Sequence, residues 1–143
     1  MSGIHGAVGI GLLAANALAA GWGSVAWTRK DPSVVFWPLL RIGQAFVVVQ
    51  AILGLLLLAQ GDRPHDDLHI LYGIAPLVVS LVSEGMRGGV AQRELEGIDD
   101  VDALERPERV AIARRVALGE MGIMTVGALL ILTLALRAYQ TGS

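Results

Sequence analysis

Residues 66–87 read DDLHILYGIAPLVVSLVSEGMR, and this stretch decides the fold. Most of its side chains are apolar, but small or polar residues recur at every third or fourth position. That spacing keeps them on one side of an α-helix whose remaining surface is apolar. A polar stripe inside an apolar span faces other helices rather than lipid. The stretch therefore predicts a membrane-spanning helix within a bundle, with a stripe formed by His69, Gly73, Pro76, Ser80, Ser83 and Arg87.

The composition of the whole chain agrees with this reading. Of the 143 residues, 54% are hydrophobic and 17% are charged, and the mean hydropathy is +0.60. Such values, combined with long apolar runs, are typical of integral membrane proteins. The net charge of −2 gives no indication of nucleic-acid binding, and the lack of cysteine excludes disulfides and thiol chemistry.

Three further apolar runs are long enough to cross a hydrocarbon core about 30 Å thick, which requires about 20 helical residues. The segment 88–115 is polar and acidic and predicts a short helical connection in water on the cytoplasmic side. The predicted fold class is an all-α, four-helix transmembrane bundle with up-down-up-down topology and a single domain covering 1–143. The expected spans are about 3–27, 34–59, 67–87 and 116–137.

The basic residues are distributed unevenly between the two sides of this bundle. Nine of the eleven Lys and Arg residues lie on the side of the first and third connections. By the positive-inside rule that side is cytoplasmic, which puts both termini and all three histidines outside. A composition rich in Ala, Gly and Arg and poor in Lys is typical of GC-rich bacteria, so the expected location is a bacterial inner membrane.

The first span carries a small residue at every fourth position. A stripe of this kind lets a neighbouring backbone approach closely. We expect it to pack within the bundle or to form a homodimer, and other membrane subunits are further candidate partners beside the lipid bilayer. The stripe consists of Gly3, Ala7, Gly11, Ala15, Ala19 and Gly23.

His5 and His69 form the first candidate site. Both lie near the predicted outer ends of the first and third spans, which are diagonal in an up-down-up-down bundle and face each other across its core. Two facing imidazoles can supply both axial ligands of one haem b. The alternative is a pair of interfacial histidines that hydrogen-bond to backbone or lipid headgroups.

Glycines and arginines complete the predicted haem site. Gly9 and Gly73 each lie four residues deeper than one of the histidines, and their missing side chains would leave room for a flat macrocycle. Arg63 and Arg137 belong to the same outer surface and would pair with the propionates. A histidine pair in a four-helix membrane bundle is similar in kind to di-haem membrane cytochromes, although no motif matches closely enough to transfer residues.

A second candidate site is a divalent metal centre at His65, Asp66 and His69. Two histidines four residues apart on a helix can hold one zinc or copper ion. The order His-Asp-Asp-Leu-His also resembles the zinc-protease pattern H-E-x-x-H with Asp in place of Glu. The sequence offers no obvious distal ligand, so simple metal binding is the stronger of the two interpretations.

The third candidate is a buried charge network near the inner side. Unpaired charges at that depth cost at least about 3 kcal/mol each, so we expect them to pair and to clamp the bundle. The functional alternative is a proton path or a quinone-headgroup site, with Asn16, Gln50 and Ser80 as its steps inside the membrane. The network consists of Arg41, Gln44, Glu84, Arg87 and Glu120.

These patterns lead to one main functional hypothesis and two alternatives. The main hypothesis is a non-enzymatic component of a membrane redox, electron-transport or transport assembly that binds one haem b near the outer face. The alternatives are a structural or assembly subunit without a cofactor, and a zinc- or copper-binding protein or small carrier. No phosphate-binding glycine loop, nucleophile elbow or Ser/His/Asp arrangement occurs, which argues against an enzyme.

Overall fold

The computed structural model describes residues 2–64 and 66–142. Within these ranges the chain is all-helical and has no strand. Four of the five helical elements are long and apolar enough to cross a membrane, as predicted, and the short α4 follows directly on α3. The elements are α1 (Ser2–Thr28), α2 (Phe36–Ala59), α3 (Asp67–Gly88), α4 (Val90–Glu94) and α5 (Arg106–Thr141).

Local signals in the sequence explain where α3 and α5 begin. Asp66 caps α3, because its carboxylate accepts a hydrogen bond of 2.9 Å from the backbone N–H of Leu68. Pro107 lies in the first turn of α5, where its missing N–H costs no helical hydrogen bond. In the turn after α2, Gly61 has φ +90°, a conformation that glycine adopts without steric cost.

The fourth predicted span is part of a longer helix. α5 includes the charged segment that precedes the apolar run, and two of its arginines tie that segment to the rest of the chain. Arg115 Nε donates a hydrogen bond of 2.8 Å to Glu94 Oε2 in α4. Arg114 donates one of 2.7 Å to the carbonyl oxygen of Lys30, after α1. These bonds hold the connections on that side of the bundle against the start of α5.

Contacts between the long helices define their arrangement. α1 packs against α2 and α5, while α3 packs extensively against α5 and less extensively against α2. Across the described part of the chain, α1 and α3 share no close backbone contact. They therefore lie on opposite sides of the bundle, and a side chain from one reaches the other only across the interior.

The bundle interior contains two apolar layers. One is formed by Ala19, Ala20, Ala26, Phe36, Leu40, Met121, Met124 and Ala128. The other lies nearer the start of α1 and is formed by Leu12, Val47, Ile131 and Ala135.

The small residues of α1 allow α2 and α5 to pack closely against it in the bundle interior. Ala19 is fully buried, and a Cβ on Gly11 would lie 2.6 Å from the ring of Phe46 in α2. A Cβ on Gly23 would lie 2.6 Å from Phe36 and still closer to Thr125 Oγ1 in α5. The stripe from Gly11 onward is thus used inside the bundle, whereas Gly3 and Ala7 are exposed.

The close approach at Gly23 gives a stability prediction. Gly23→Ala inserts a methyl group against Phe36 and Thr125, and overpacking of this kind costs about 1–3 kcal/mol. We expect a lower thermal unfolding temperature in detergent, followed by tryptophan fluorescence. Gly21→Ala is the matched control, because a Cβ there meets nothing within 4 Å and alanine is the better helix former. Equal losses in the two variants would contradict the packing described.

Candidate functional site

One end of the bundle brings His5 and His69 together, and we call it the histidine end. The two rings belong to the first turns of α1 and α3, helices that do not contact each other through their backbones. Their ring centroids are 6.1 Å apart and their planes are inclined by 63°. The bundle therefore places two imidazoles opposite one another across its interior.

His69 is oriented by the last turn of α5. Its Nδ1 lies 2.8 Å from the carbonyl oxygen of Ala138. A carbonyl only accepts, so Nδ1 carries the proton and the neutral ring keeps its unshared pair on Nε2. Metal-bound histidines are held in this way. Gly142 permits the contact, because a Cβ there would lie 2.5 Å from the His69 ring.

His5 is held from the side of α2. Its Nε2 is 3.2 Å from Nε2 of Gln50, and a Cβ on Gly54 would lie 3.5 Å from the ring. Two polar atoms beside this contact, His5 Nδ1 and Gln50 Oε1, are buried without a hydrogen-bond partner among the described residues. Buried polar atoms without partners are costly, and Asn16 Oδ1 and Thr125 Oγ1, away from the histidines, are two further examples among the described residues.

A cavity of about 620 Å³ lies between these residues, within the range of about 300–1,000 Å³ that is typical of small-molecule and cofactor sites. All four long helices contribute to its wall, and so does the turn after α2. Its polar lining includes His5, Gln50, Asp62, Arg63 and His69, and the remaining wall is mainly aliphatic. The aliphatic part includes Leu12, Leu13, Leu55, Leu57, Leu58, Ile70 and Ile74.

The residues predicted to surround the histidines occupy different positions in this cavity. Gly73 lines it, and a Cβ there would meet nothing within 4 Å, so the space is open. Gly9 also lines it, but a Cβ there would lie 3.2 Å from Gln50, so this glycine makes room for the amide. Arg63 belongs to the wall. Arg137 is exposed and bonds to Gln140 instead.

Several members of the site were missed in the sequence. Gln50 is predicted above as a step inside the membrane, and nothing in its position nine residues before the end of α2 indicates the contact with His5. Ala138 takes part through its backbone carbonyl, which no side-chain pattern indicates. Gly54 and Gly142 belong to no sequence motif. Each lies where an imidazole ring approaches the backbone closely, His5 at Gly54 and His69 at Gly142.

The predicted divalent metal centre is only partly described, because His65 lies outside the described residues. The carboxylate of Asp66 is engaged in capping α3, and Nδ1 of His69 is engaged by Ala138. Over residues 2–64 and 66–142, no group of three or more His, Asp or Glu side chains is arranged to hold a metal ion.

A second polar cluster, which we call the charged end, is centred on Glu84 in α3. Arg41 of α2 forms a salt bridge and hydrogen bond with Oε1 of Glu84. Gln44 Nε2 donates to the same oxygen at 2.9 Å, and Arg87 Nε donates to Oε2 at 2.9 Å. One carboxylate therefore accepts three hydrogen bonds from two helices.

Arg87 extends the charged end to α5. Its Nη1 lies 3.6 Å from Glu120 Oε2, and its guanidinium sits 5.7 Å from the ring centroid of Trp37, within cation–π range. Gln44 also donates to Ser80 at 3.3 Å. The structure thus brings the five residues of the predicted charge network together, with two positive and two negative charges that compensate each other.

The proposed steps of a path inside the membrane are separated from one another. Gln50 contacts His5, Ser80 contacts Gln44, and Asn16 Nδ2 donates to the carbonyl oxygen of Leu12 in its own helix. The apolar layer around Val47 lies between the two ends. The described hydrogen bonds do not link these groups into one route.

Comparison of the chain with protein-family models, with curated proteins and with solved structures finds no match. The helices and their hydropathy define the class of the protein, which is a multi-pass helical membrane protein.

The charged end gives a prediction about stability. Glu84→Gln removes the charge that compensates Arg41 and Arg87, and hydrogen bonds to charged groups contribute about 1.5–3 kcal/mol each. We expect a larger fall in unfolding temperature for Glu84→Gln than for Glu120→Gln, whose carboxylate has one longer ion pair. A Glu120→Gln variant that keeps its stability but loses redox or transport function would instead support a proton path.

Proposed function

We propose that this protein binds one haem b at the histidine end, with His5 and His69 as the two axial ligands. In this proposal it acts as a non-enzymatic component of a membrane electron-transport or transport assembly. One observation carries the proposal: imidazoles from two helices without backbone contact meet across a cavity of about 620 Å³.

The spacing of the two rings supports ligation of a single iron. Metal–imidazole bonds are about 2 Å long, and two of them on opposite faces of one metal place the ring centres about 6 Å apart. The observed centroid distance is 6.1 Å. The hydrogen bond from His69 to Ala138 leaves Nε2 of His69 with an unshared pair, as a metal ligand requires.

The shape and chemistry of the cavity also suit a haem. Its aliphatic wall matches the faces of a macrocycle, and the open space at Gly73 admits a flat group beside His69. Arg63 is the cationic side chain of the wall and would pair with a propionate, whereas Arg137 is directed elsewhere. When bound, haem supplies one-electron chemistry, and the chain supplies its ligands and an apolar environment.

We further propose up-down-up-down topology with the histidine end outside. The contacts support this order, because the start of α1, the late part of α2, the start of α3 and the end of α5 meet at the histidine end. The opposite ends meet at the charged end. Nine of the eleven Lys and Arg residues lie toward the charged end, which favours a cytoplasmic location for it and for 88–115.

An absorption spectrum of the purified protein tests the haem proposal. Protein produced in haem-sufficient cells is expected to show a Soret band and a low-spin spectrum in both redox states. His69→Ala and His5→Ala are each expected to lose the low-spin signal. His65→Ala is the matched control and is expected to keep it. A colourless wild-type protein would contradict the proposal.

The same preparations separate the alternatives. A zinc- or copper-binding protein would contain close to one equivalent of metal without a Soret band, and His65→Ala would remove it. A structural or assembly subunit would contain neither, and its histidine variants would differ from wild type only in stability.

A further inference from the structure

We propose that a groove beside the charged end binds the headgroup of an ethanolamine phospholipid from the surrounding bilayer. The groove has a volume of about 700 Å³ and lies where the last turn of α3 meets α4. It shares no residue with the cavity of the histidine end, and the proposal does not depend on haem. Its lining consists of Gly85, Met86, Gly89, Gln92, Arg93 and Glu96.

The position of the groove along the chain matches the level of lipid headgroups. From Asp67 to Arg87 the helix α3 rises by about 30 Å, which is the thickness of a hydrocarbon core. Arg93 and Glu96 follow this span closely, and the groove residues of α3 belong to its last turn. A polar group bound there would therefore be a headgroup whose acyl chains remain in the hydrocarbon.

The groove presents two opposite charges that the chain does not pair. Arg93 and Glu96 lie one turn apart, and the backbone N–H of Glu96 donates to the carbonyl oxygen of Arg93 at 3.4 Å. Among the described residues neither side chain forms an ion pair, whereas the neighbouring Glu94 is bound by Arg115. A basic residue that precedes an acidic one is the less favourable order for a pair along a helix. A cation and an anion are thus both available to one ligand.

The headgroup of an ethanolamine phospholipid carries both complementary charges. Its phosphate matches the forked guanidinium of Arg93, which can donate two parallel hydrogen bonds. Its primary ammonium has three N–H groups, and the carboxylate of Glu96 accepts from such donors. A choline headgroup has no N–H to donate, and a glycerol headgroup has no cation. The pair of charges therefore favours ethanolamine over both.

The exposed side of α3 provides a path for an acyl chain that leaves the groove. Val78, Val82 and Met86 recur at every fourth residue, and their exposed fractions are 52%, 56% and 54%. Gly85 keeps the groove open beside this row, because a Cβ there would meet nothing within 4 Å. Val90 is buried against α5 and holds α4 in place. The groove is thus fixed by packing and continuous with the apolar surface of the span.

Native mass spectrometry of the full-length protein in detergent tests the proposal with ethanolamine, choline and glycerol phospholipids that carry the same acyl chains. Wild type is expected to bind the ethanolamine lipid about 10-fold more tightly than the other two. Glu96→Gln is expected to abolish this preference, and Arg93→Gln to weaken binding of all three lipids, because each has a phosphate. Arg106→Gln is the matched control and is expected to change neither, because it removes the same charge from an exposed residue outside the groove.

Gly85→Leu is a second test that leaves both charges in place. The new side chain starts in open space and leucine is the better helix former, so we expect a filled groove in a protein whose unfolding temperature is not lowered. The ethanolamine preference is expected to be lost. Equal affinity of wild type for the three lipids, or a preference that persists in Glu96→Gln or in Gly85→Leu, would overturn the proposal. Equally tight binding of water-soluble glycerophosphoethanolamine would overturn the assignment to a lipid.

Discussion

Hydrocarbon offers no hydrogen bonds, and this constraint explains the charged end. Two arginines and two glutamates at similar depth must compensate one another, and Glu84 does so by accepting from Arg41, Gln44 and Arg87. Because these partners belong to different helices, satisfying the charges also fixes α3 against α2. Arg87 carries the connection on to Glu120 and so to α5. The charged side chains there find their partners within the chain itself.

At the histidine end, some buried polar atoms of the described residues lack the hydrogen-bond partners that the charged end provides. There, His5 Nδ1 and Gln50 Oε1 remain buried without described partners, and the two residues that carry them line a cavity. The close packing of α1 near Gly23 and the apolar layer around Val47 hold the helices together elsewhere. The bundle can therefore keep an open, incompletely satisfied end without losing its fold. Such an imbalance is what a site for an added group requires, and it underlies the haem proposal.

The sequence predicted features that depend on side-chain type and helical spacing. Apolar runs marked the four spans, the charges expected to pair lie together, and the two histidines share one end. It did not predict features that depend on how far one helix rotates against another. The contact between Gln50 and His5 is of this kind, and so is the role of Gly9, which accommodates the amide. The hydrogen bond from His69 to the backbone carbonyl of Ala138 could not be predicted from the sequence, because every residue carries a backbone carbonyl.

The apolar layer formed by Leu12, Val47, Ile131 and Ala135 has a consequence for any redox role. Leu12 and Ala135 of this layer line the cavity, and aliphatic side chains lie between that cavity and the charged end. A lone redox centre in the cavity would be electrically insulated from the far side of the bilayer. Electrons would have to arrive and depart across the same face, so the donor and the acceptor would compete for one docking position or bind there in turn.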